Sequence, residues 1–513
     1  MAEISSNNKR IAKNTLMLYI RMGLGMVVSL YTSRIVLQTL GVEDYGIYGV
    51  VGGVVAMFSF LNTTMARATS RFLTFEMGKN NKERLKITFS SALIIHIGIA
   101  LLVLILAETV GVWFLNNKLV IPEGRMGAAH WVLQLSILGT MVGITQVPYN
   151  ATIIAHEKMD VYAYVELIDV FLKLGIVYLL YIGDFDKLIL YAFLILVVSV
   201  IKAMIYRFFC IRYYEESRFK WVWDKEIIKP MLSFSGLNLY VSMCFTARTQ
   251  GTTFLINIFF GVISNTANNI ATTVDGVLNG LAYNIITASQ PNIIKSYSQN
   301  KLDEMQNTMR NSIKFSTLFF TLIAIPFYFE TPFIIKLWLG QVPHYVVSFI
   351  RIALIINFIR LINSVITISL DATGNIKLYS IMTGTINLIA LPVSFLLFKN
   401  GYDAQFAYVV CLLSFILILT TNIYLLKQQI REIRLHSILL DILQLLLIVI
   451  ISILLGKLLY TYVPFGIYRL ISVIICNTIV VSLLTYFIVL NKDQRKYVNE
   501  FISQKILRKY KRN

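Results

Sequence analysis

Five arginines lie within long apolar segments of this chain or near the ends of such segments: Arg21, Arg34, Arg248, Arg351 and Arg360. A charge placed there is costly, so it usually faces a cavity or a partner. Arginine carries a planar fork of N–H donors that fits phosphate oxygens. The pattern therefore predicts an anion-binding cavity lined by these side chains. The alternative is that some of them donate to backbone carbonyls or extend to the membrane interface.

Asp275 is the most deeply placed acidic residue of these segments. A carboxylate inside a membrane is a candidate for coupling to protons or sodium, and it is equally suited to neutralise Arg248 on the adjacent segment. The sequence leaves both roles open. Three nearby amides are predicted to line the same cavity: Asn257, Asn268 and Asn269. Earlier in the chain, Asp169 and Lys173 stand four residues apart, which predicts a local ion pair.

Motifs for catalysis or for binding a metal ion are missing from the sequence. It has no Walker sequence and no His-Glu-x-x-His helix, and its five histidines are accompanied by no large loop. Its four cysteines are interpreted as packing residues. We therefore expect no catalytic residue, no metal and no cofactor, and we expect that ATP does not drive the protein directly.

The composition is that of a membrane protein. Of 513 residues, 57% are hydrophobic and 14% are charged, against about 25% charged in soluble domains. Runs of roughly 20 apolar residues recur along the chain, as bilayer-spanning helices require. We predict an all-α polytopic membrane protein with fourteen spans, at about 14–38, 45–66, 87–115, 127–153, 160–182, 186–209, 230–258, 265–289, 308–329, 345–370, 377–398, 403–426, 437–463 and 466–490.

The distribution of lysine and arginine predicts the orientation, because cytoplasmic loops retain these residues. They concentrate before span 1, in loops 2 and 6, and in the carboxyl tail, whereas loop 1 carries Glu43 and Asp44. Loop 3 is the exception, with Lys118 and Arg125. Both termini are therefore expected in the cytoplasm. The net charge of +19 is interpreted as this topological signal facing anionic lipid headgroups; nucleic acid is not an expected partner, because the basic residues are dispersed over short loops.

The chain also repeats itself. Gly41-Val42 and Gly261-Val262 follow equivalent apolar runs, and other landmarks recur at the same offset of about 220 residues. Each copy holds six spans, an even number, so the copies are predicted to be parallel repeats related by a twofold axis along the membrane normal, as in transporters. We predict two six-helix bundles at 1–229 and 230–436, extra helices at 437–490 that suit a lipid-facing appendage, and a basic cytoplasmic tail at 491–513.

Four glycines open span 2: Gly46, Gly49, Gly52 and Gly53. They are able to serve as points of bending, or to permit close packing against another helix. The sequence leaves both interpretations open.

The stretch from Leu40 to Tyr48, Leu-Gly-Val-Glu-Asp-Tyr-Gly-Ile-Tyr, resembles the span 1–2 signature of polysaccharide transporters, a leucine-Gly-x-x-x-(Tyr/Phe)-Gly-x-(Tyr/Phe) pattern. The span count and the six-plus-six repeat are similar to the O-antigen and capsule-repeat flippases of the multidrug/oligosaccharidyl-lipid/polysaccharide exporter superfamily. The resemblance implies a MATE-like fold and alternating access in a bacterial inner membrane without ATP, driven by an ion gradient. It implies a polyprenyl-pyrophosphate-linked glycan as substrate, for O-antigen, capsule or exopolysaccharide, with membrane lipids, a glycan polymerase and export machinery as partners.

The resemblance also implies that cavity arginines hold the pyrophosphate, with Arg21, Arg34 and Arg248 as the candidates. Two other functions compete with this interpretation. A multidrug or organic-cation exporter of the same fold would favour a cavity rich in carboxylates, whereas arginines predominate here. A membrane glycan polymerase or ligase would need a sizeable extracytoplasmic loop, and every predicted outer loop is short.

Overall fold

The computed structural model is nearly all-helical over the residues it describes, which are 2–58, 65, 69–70, 72–77, 81–156, 158–180, 185–222, 224–490, 492, 494–496 and 499. Side chains are described from Gly23 onward, except at 24, 26, 159, 163, 233–238 and 291. The side chain of Arg21 therefore lies outside the described residues, as does most of the basic tail.

Long helices follow one another along the chain: α1 (Ala2–Ala56), α2 (Lys82–Leu106), α3 (Val112–Asn117), α4 (Met126–Ala155), α5 (Met159–Leu179), α6 (Lys187–Tyr213), α7 (Lys225–Ser298), α8 (Leu302–Leu339), α9 (Val346–Thr373), α10 (Lys377–Lys399), α11 (Phe406–Gln429), α12 (Leu435–Tyr462) and α13 (Ile467–Leu484). Short π-helical segments, Ala107–Gly111 and Thr485–Val489, join α2 to α3 and extend α13. Where the structure describes the predicted spans, all of them fall on these helices.

Ten helices among the described residues are long and apolar enough to cross a membrane, and one of them, Leu239–Ser298, covers predicted spans 7 and 8 together. Helix α5 is not among the ten because Glu166, Asp169 and Lys173 raise its charge. The predicted fold class is confirmed: the chain is an all-α, multi-pass membrane protein.

Helices α1 and α7 each contain one residue that departs from helical geometry, and these two residues are equivalent in the predicted repeats. Gly41 has φ 82° and ψ 172°, and Gly261 has φ 76° and ψ −176°. This combination of angles is accessible almost only to glycine, because a Cβ would clash with the backbone. The chain therefore passes from span 1 to span 2, and from span 7 to span 8, through the same backbone turn, which supports the predicted duplication.

The glycines that open span 2 permit close helix packing. A Cβ added at Gly46 would lie 2.5 Å from the carbonyl oxygen of Val262, and one added at Gly49 would meet the side chain of Asn269. Gly52, by contrast, faces open space. The packing interpretation is therefore confirmed for Gly46 and Gly49, whose contacts are with the corresponding span of the second repeat.

Within the described residues, the chain divides into two compact units that are each built from separate pieces. Unit 1 contains Met1–Ala271, Trp338–Phe349 and Ser380–Ser414, and unit 2 contains Thr272–Leu337, Ile350–Tyr379 and Phe415–Asn513. The core of unit 1 includes Val50, Val54, Leu115 and Leu133, all fully or almost fully buried. The predicted domain boundaries at 229, 436 and 490 stay predictions.

Arg125, the exception to the charge rule, is neutralised by two carboxylates. Its Nη2 lies 2.5 Å from Asp44 Oδ2, and its Nη1 lies 2.6 Å from Asp186 Oδ2. These residues come from predicted loops 3, 1 and 5, which the alternating topology places on one side of the membrane. The cluster is consistent with the predicted alternation, because its carboxylates compensate the charge of an arginine in a predicted outer loop.

The pKa values of the two aspartates in this cluster are shifted in opposite directions. Burial raises the pKa of Asp44 above its usual range, although Arg125 acts to lower it. Burial also acts to raise the pKa of Asp186, but hydrogen bonds from Arg125 and from the Ile189 and Leu188 N–H groups outweigh it, so this pKa is lowered.

Candidate functional site

Arg248 is buried inside the span Leu239–Ser298, with 6% of the residue exposed. Its Nη1 donates to Sγ of Cys411 on α11. Its Cζ also lies 5.1 Å from the ring centroid of Phe245, a cation–π distance. The guanidinium is thus positioned by a thiol and an aromatic ring in unit 1.

One face of α11 brings Arg248 next to a predicted cavity amide. Tyr408 and Cys411 are three residues apart on this helix and therefore lie on the same face. While Cys411 accepts from Arg248, the Tyr408 hydroxyl donates to Asn268 Oδ1 at 2.9 Å. Asn268 in turn donates to Thr253 Oγ1 at 3.1 Å. Arg248 and Asn268 thus both bond to side chains of α11, and guanidinium, amide and hydroxyl groups are able to donate hydrogen bonds to phosphate and sugar oxygens.

Asp275 forms an ion pair with Arg360 in unit 2. Arg360 Nη2 lies 2.7 Å from each carboxylate oxygen. Both side chains are 23% exposed, so the pair is only partly buried. The partner that the structure gives Asp275 is therefore Arg360 rather than the Arg248 that the sequence suggested, and the two predicted functional residues of this unit act on each other.

Two asparagines complete the Asp275–Arg360 pair. Asn357 Nδ2 donates to Asp275 Oδ1 at 2.5 Å, and Asn357 Oδ1 accepts from Arg360 Nη2. Asn279 Nδ2 donates to the same Asn357 oxygen at 2.6 Å. The Arg360 Cζ lies 5.9 Å from the ring centroid of Phe415. The carboxylate of Asp275 is thus bonded by a guanidinium and by an amide.

The other predicted site residues have different surroundings. Arg351 Nε donates to the carbonyl of Tyr328 at 3.0 Å, and its Cζ lies 5.2 Å from the same residue's ring centroid; this matches the alternative of a satisfied arginine. Arg34 is half-buried on α1. Asn257 is fully buried, and its amide bonds both the N–H and the carbonyl of Val120, so it fixes a loop.

The predicted Asp169–Lys173 pair is present at 2.8 Å, and the structure adds to it. Lys202 of α6 lies 2.9 Å from Glu166 and 3.8 Å from Asp169. Tyr206, one turn beyond Lys202, donates to Glu166 at 3.2 Å. Sequence reasoning missed Lys202; its charge inside a span was the signal.

Helices α12 and α13, predicted as a lipid-facing appendage, are fastened to α8 by buried charges. Arg469 Nε lies 2.6 Å from Glu330 Oε1, with side chains 7% and 0% exposed. At the other end, Asp441 lies 2.5 Å from Arg310 and 2.8 Å from Lys314. Apolar composition hid these anchors, because one charge in each helix suffices. Elsewhere in the described part of the chain, no cluster of three or more His, Cys, Asp or Glu residues suits a metal ion.

Comparison with known proteins identifies relatives of this architecture. Residues 38–347 match the family described as polysaccharide biosynthesis protein. No curated protein sequence matches the chain. Among solved structures, an inward-facing multidrug resistance MATE family transporter of the MOP superfamily has a TM-score of 0.64 at 12% identity, covering 81% of this chain and 99% of its own.

Two further structures share the fold. The lipid II flippase MurJ, in an inward closed conformation, has a TM-score of 0.64 at 13% identity and covers 92% of this chain and 98% of its own. A MOP superfamily transporter from Pyrococcus furiosus, described as having a binding pocket of reversed polarity, has a TM-score of 0.58 at 13% identity, covering 82% and 96%. These neighbours are transporters and a flippase rather than enzymes, and they confirm the predicted MATE-like fold.

Proposed function

The chain belongs to the polysaccharide biosynthesis protein family, and on that premise we propose that it is a flippase for polyprenyl-pyrophosphate-linked oligosaccharides. It would carry repeat units of O-antigen, capsule or exopolysaccharide across the bacterial inner membrane, with both termini in the cytoplasm. The lipid II flippase among its structural neighbours moves a lipid-linked molecule, which fits this substrate class.

The observation that carries the proposal is the position of Arg248. Its guanidinium is buried inside a membrane span and donates to Cys411, on the same helix whose Tyr408 bonds Asn268, in a fold shared with transporters. Pyrophosphate is doubly charged and needs charge-assisted donors, while sugar hydroxyls need neutral ones. Arg248 supplies the first kind and the Asn268–Tyr408 pair the second.

Alternating access requires contacts at one end of the two repeats that are able to separate. In unit 1 such contacts lie at the predicted outer end. Thr266 donates to the carbonyl of Val42 at 2.6 Å, where the two glycine turns meet. The side chain of Asn257 also bonds the backbone of Val120, which lies in loop 3, another predicted outer loop. We infer that these contacts belong to an outer gate that opens to release the glycan.

Asp275 is the proposed coupling residue for an ion gradient. A proton or sodium ion that binds its carboxylate competes with Arg360, so binding would loosen the pair. Asp275→Asn should keep the hydrogen bond to Asn357 yet lose the charge. We expect transport by this variant to become independent of the gradient; gradient dependence equal to that of the wild type would remove Asp275 from this role.

The decisive experiment uses purified protein in liposomes with a fluorescent polyprenyl-pyrophosphate disaccharide, followed by quenching of label exposed outside. Arg248→Ala should abolish flipping at normal protein level, and Arg248→Lys should retain part of it because the charge persists without the fork. Arg212→Ala, in the exposed last turn of α6, serves as the control. Full activity of Arg248→Ala would remove this arginine from the site. Transport of an organic cation in place of the glycan by the wild type would establish the drug exporter instead.

A further inference from the structure

A second candidate site lies away from the arginines. A cavity of about 580 Å³ opens in unit 1 among residues that include Glu76, Lys82, Lys86, His156, Tyr214 and Lys220. These residues come from predicted loops 2, 4 and 6 and the adjoining helix ends, which the topology places together on the cytoplasmic side. Two segments of the first repeat, around Glu76 and around His156, therefore line the same cavity.

One wall of this cavity is built by close contacts. His156 Nε2 lies 2.5 Å from Glu216 Oε1, and the imidazole stacks on the Tyr214 ring at a centroid distance of 4.0 Å with 13° between the planes. In the second repeat, the sequence Ala372-Thr373-Gly374-Asn375 falls where Ala155-His156-Glu157-Lys158 falls in the first. The hydroxyl of Thr373 donates to the uncharged Gln429 at 2.7 Å. The contact between an imidazole and a carboxylate at this position is therefore found in the first repeat and replaced by a contact between uncharged groups in the second.

The cavity presents charges of both signs. Lys82, Lys86 and Lys220 contribute ammonium groups, and Lys82 and Lys220 are exposed. Glu76 is buried, with 6% exposed; its Oε1 lies 3.8 Å from Arg84, but within the described residues its Oε2 has no hydrogen-bond partner. A buried acceptor without a donor is unfavourable. A ligand that carries both an anion and an N–H donor would satisfy the lysines and Glu76 together.

The cavity also lies where lipid headgroups are expected. Lys82 begins one candidate span and Tyr213 ends another, so the cavity sits at the ends of membrane-crossing helices. Tyr213 and Trp221 are 64% and 76% exposed beside it. Exposed tyrosine and tryptophan mark the level of the headgroups.

We propose that this cavity binds the headgroup of a zwitterionic phospholipid with a primary ammonium, such as phosphatidylethanolamine. The phosphate faces Lys82, Lys86 and Lys220, and the ammonium donates to the Glu76 carboxylate. The site is distinct from the one proposed for the glycan and does not depend on that proposal.

The test compares two lipids that share the phosphate and differ in the amine. Phosphatidylcholine carries a quaternary ammonium without N–H, so it cannot donate to Glu76. Detergent-purified full-length protein is titrated with each lipid, and bound lipid is counted by native mass spectrometry. We expect the wild type to prefer phosphatidylethanolamine about tenfold, as one charge-assisted hydrogen bond allows. Glu76→Gln keeps an acceptor oxygen but loses the charge, so it should lower the ratio well below that of the wild type.

Two further variants keep the test decisive if Glu76→Gln fails to fold. Lys82→Gln and Lys220→Gln change exposed residues and should weaken both lipids by similar factors. Glu304→Gln removes an exposed carboxylate from α8, and it should keep the wild-type ratio. Equal affinity of the wild type for the two lipids would overturn the proposal. Unchanged binding by both lysine variants, or a wild-type ratio in a folded Glu76→Gln protein, would do the same.

Discussion

Arg248 and Arg360 are the same residue type, both well within membrane-spanning helices, but their surroundings differ in kind. Arg360 lies 2.7 Å from a carboxylate and shares it with an asparagine. Arg248 is more deeply buried and contacts a thiol and an aromatic ring. Sequence position made both of them candidates for binding an anion, with Arg248 also a candidate for holding the pyrophosphate, and the structure gives them different neighbours.

The difference separates two tasks. Arg360 forms an ion pair with Asp275, so a change in the charge of that carboxylate alters the pair. Such a pair suits the proposed coupling of transport to an ion gradient. Arg248 instead bonds to the helix whose Tyr408 contacts Asn268, and such neutral hydrogen-bonding groups suit the proposed glycan substrate. The following predictions test whether the environment of an arginine, rather than its depth, decides what its removal does.

The largest effect on stability is expected at the most buried pair, Arg469 with Glu330. Arg469→Ala leaves a fully buried carboxylate without its partner, which should lower the free energy of unfolding by about 3–5 kcal/mol. Thermal unfolding in detergent measures this loss. Arg469→Met combined with Glu330→Leu should recover most of it, because no charge is then left behind. A double variant as unstable as Arg469→Ala would show that packing, and not charge, dominates here.

A smaller loss is expected at Arg360. Because its pair with Asp275 is 23% exposed, Arg360→Gln should destabilise the protein by about 1–3 kcal/mol, below the value for Arg469. A double-mutant cycle with Asp275→Asn isolates the interaction energy. Additive effects in the cycle would mean that the pair contributes little, and the contrast with Arg248 would then fail.

The smallest effect is expected at Arg125, outside the membrane spans. Asp186, whose pKa is lowered, stabilises the fold above about pH 4 and loses this contribution as the pH falls. Asp44, whose pKa is raised, acts with the opposite sign, so the wild type should show little net dependence. Arg125→Gln leaves the two carboxylates facing each other. The free energy of unfolding of this variant should therefore rise by about 1 kcal/mol as the pH is lowered from 7 to 4, because protonation removes the repulsion.

Unfolding curves across that pH range, with Lys118→Gln as the matched control in the same loop, measure the effect. A pH profile of Arg125→Gln parallel to that of the wild type would show that Arg125 does not control these carboxylates.

The sequence predicted what each helix carries better than it predicted which helices meet. The glycine turns, the local Asp169–Lys173 pair and the fold class follow from spacing and composition. The pairs Asp275–Arg360 and Glu330–Arg469 join residues far apart in the chain, and hydrophobic periodicity does not report which spans are neighbours. The anchors of α12 and α13 were missed for the same reason. The assignment of Arg125 illustrates the converse: an apparent exception in charge was a signal that carboxylates lay nearby.

The twin turns at Gly41 and Gly261 have a consequence for how this gene tolerates change. Every single-base change in a glycine codon that alters the amino acid adds a Cβ, which this backbone conformation excludes. A saturation mutagenesis library selected for function should therefore show two matching gaps, 220 codons apart, at glycines whose preceding residues, Leu40 and Phe260, differ. Such a pair of gaps would record the duplication in the pattern of tolerated mutations, although the two repeats have diverged in sequence.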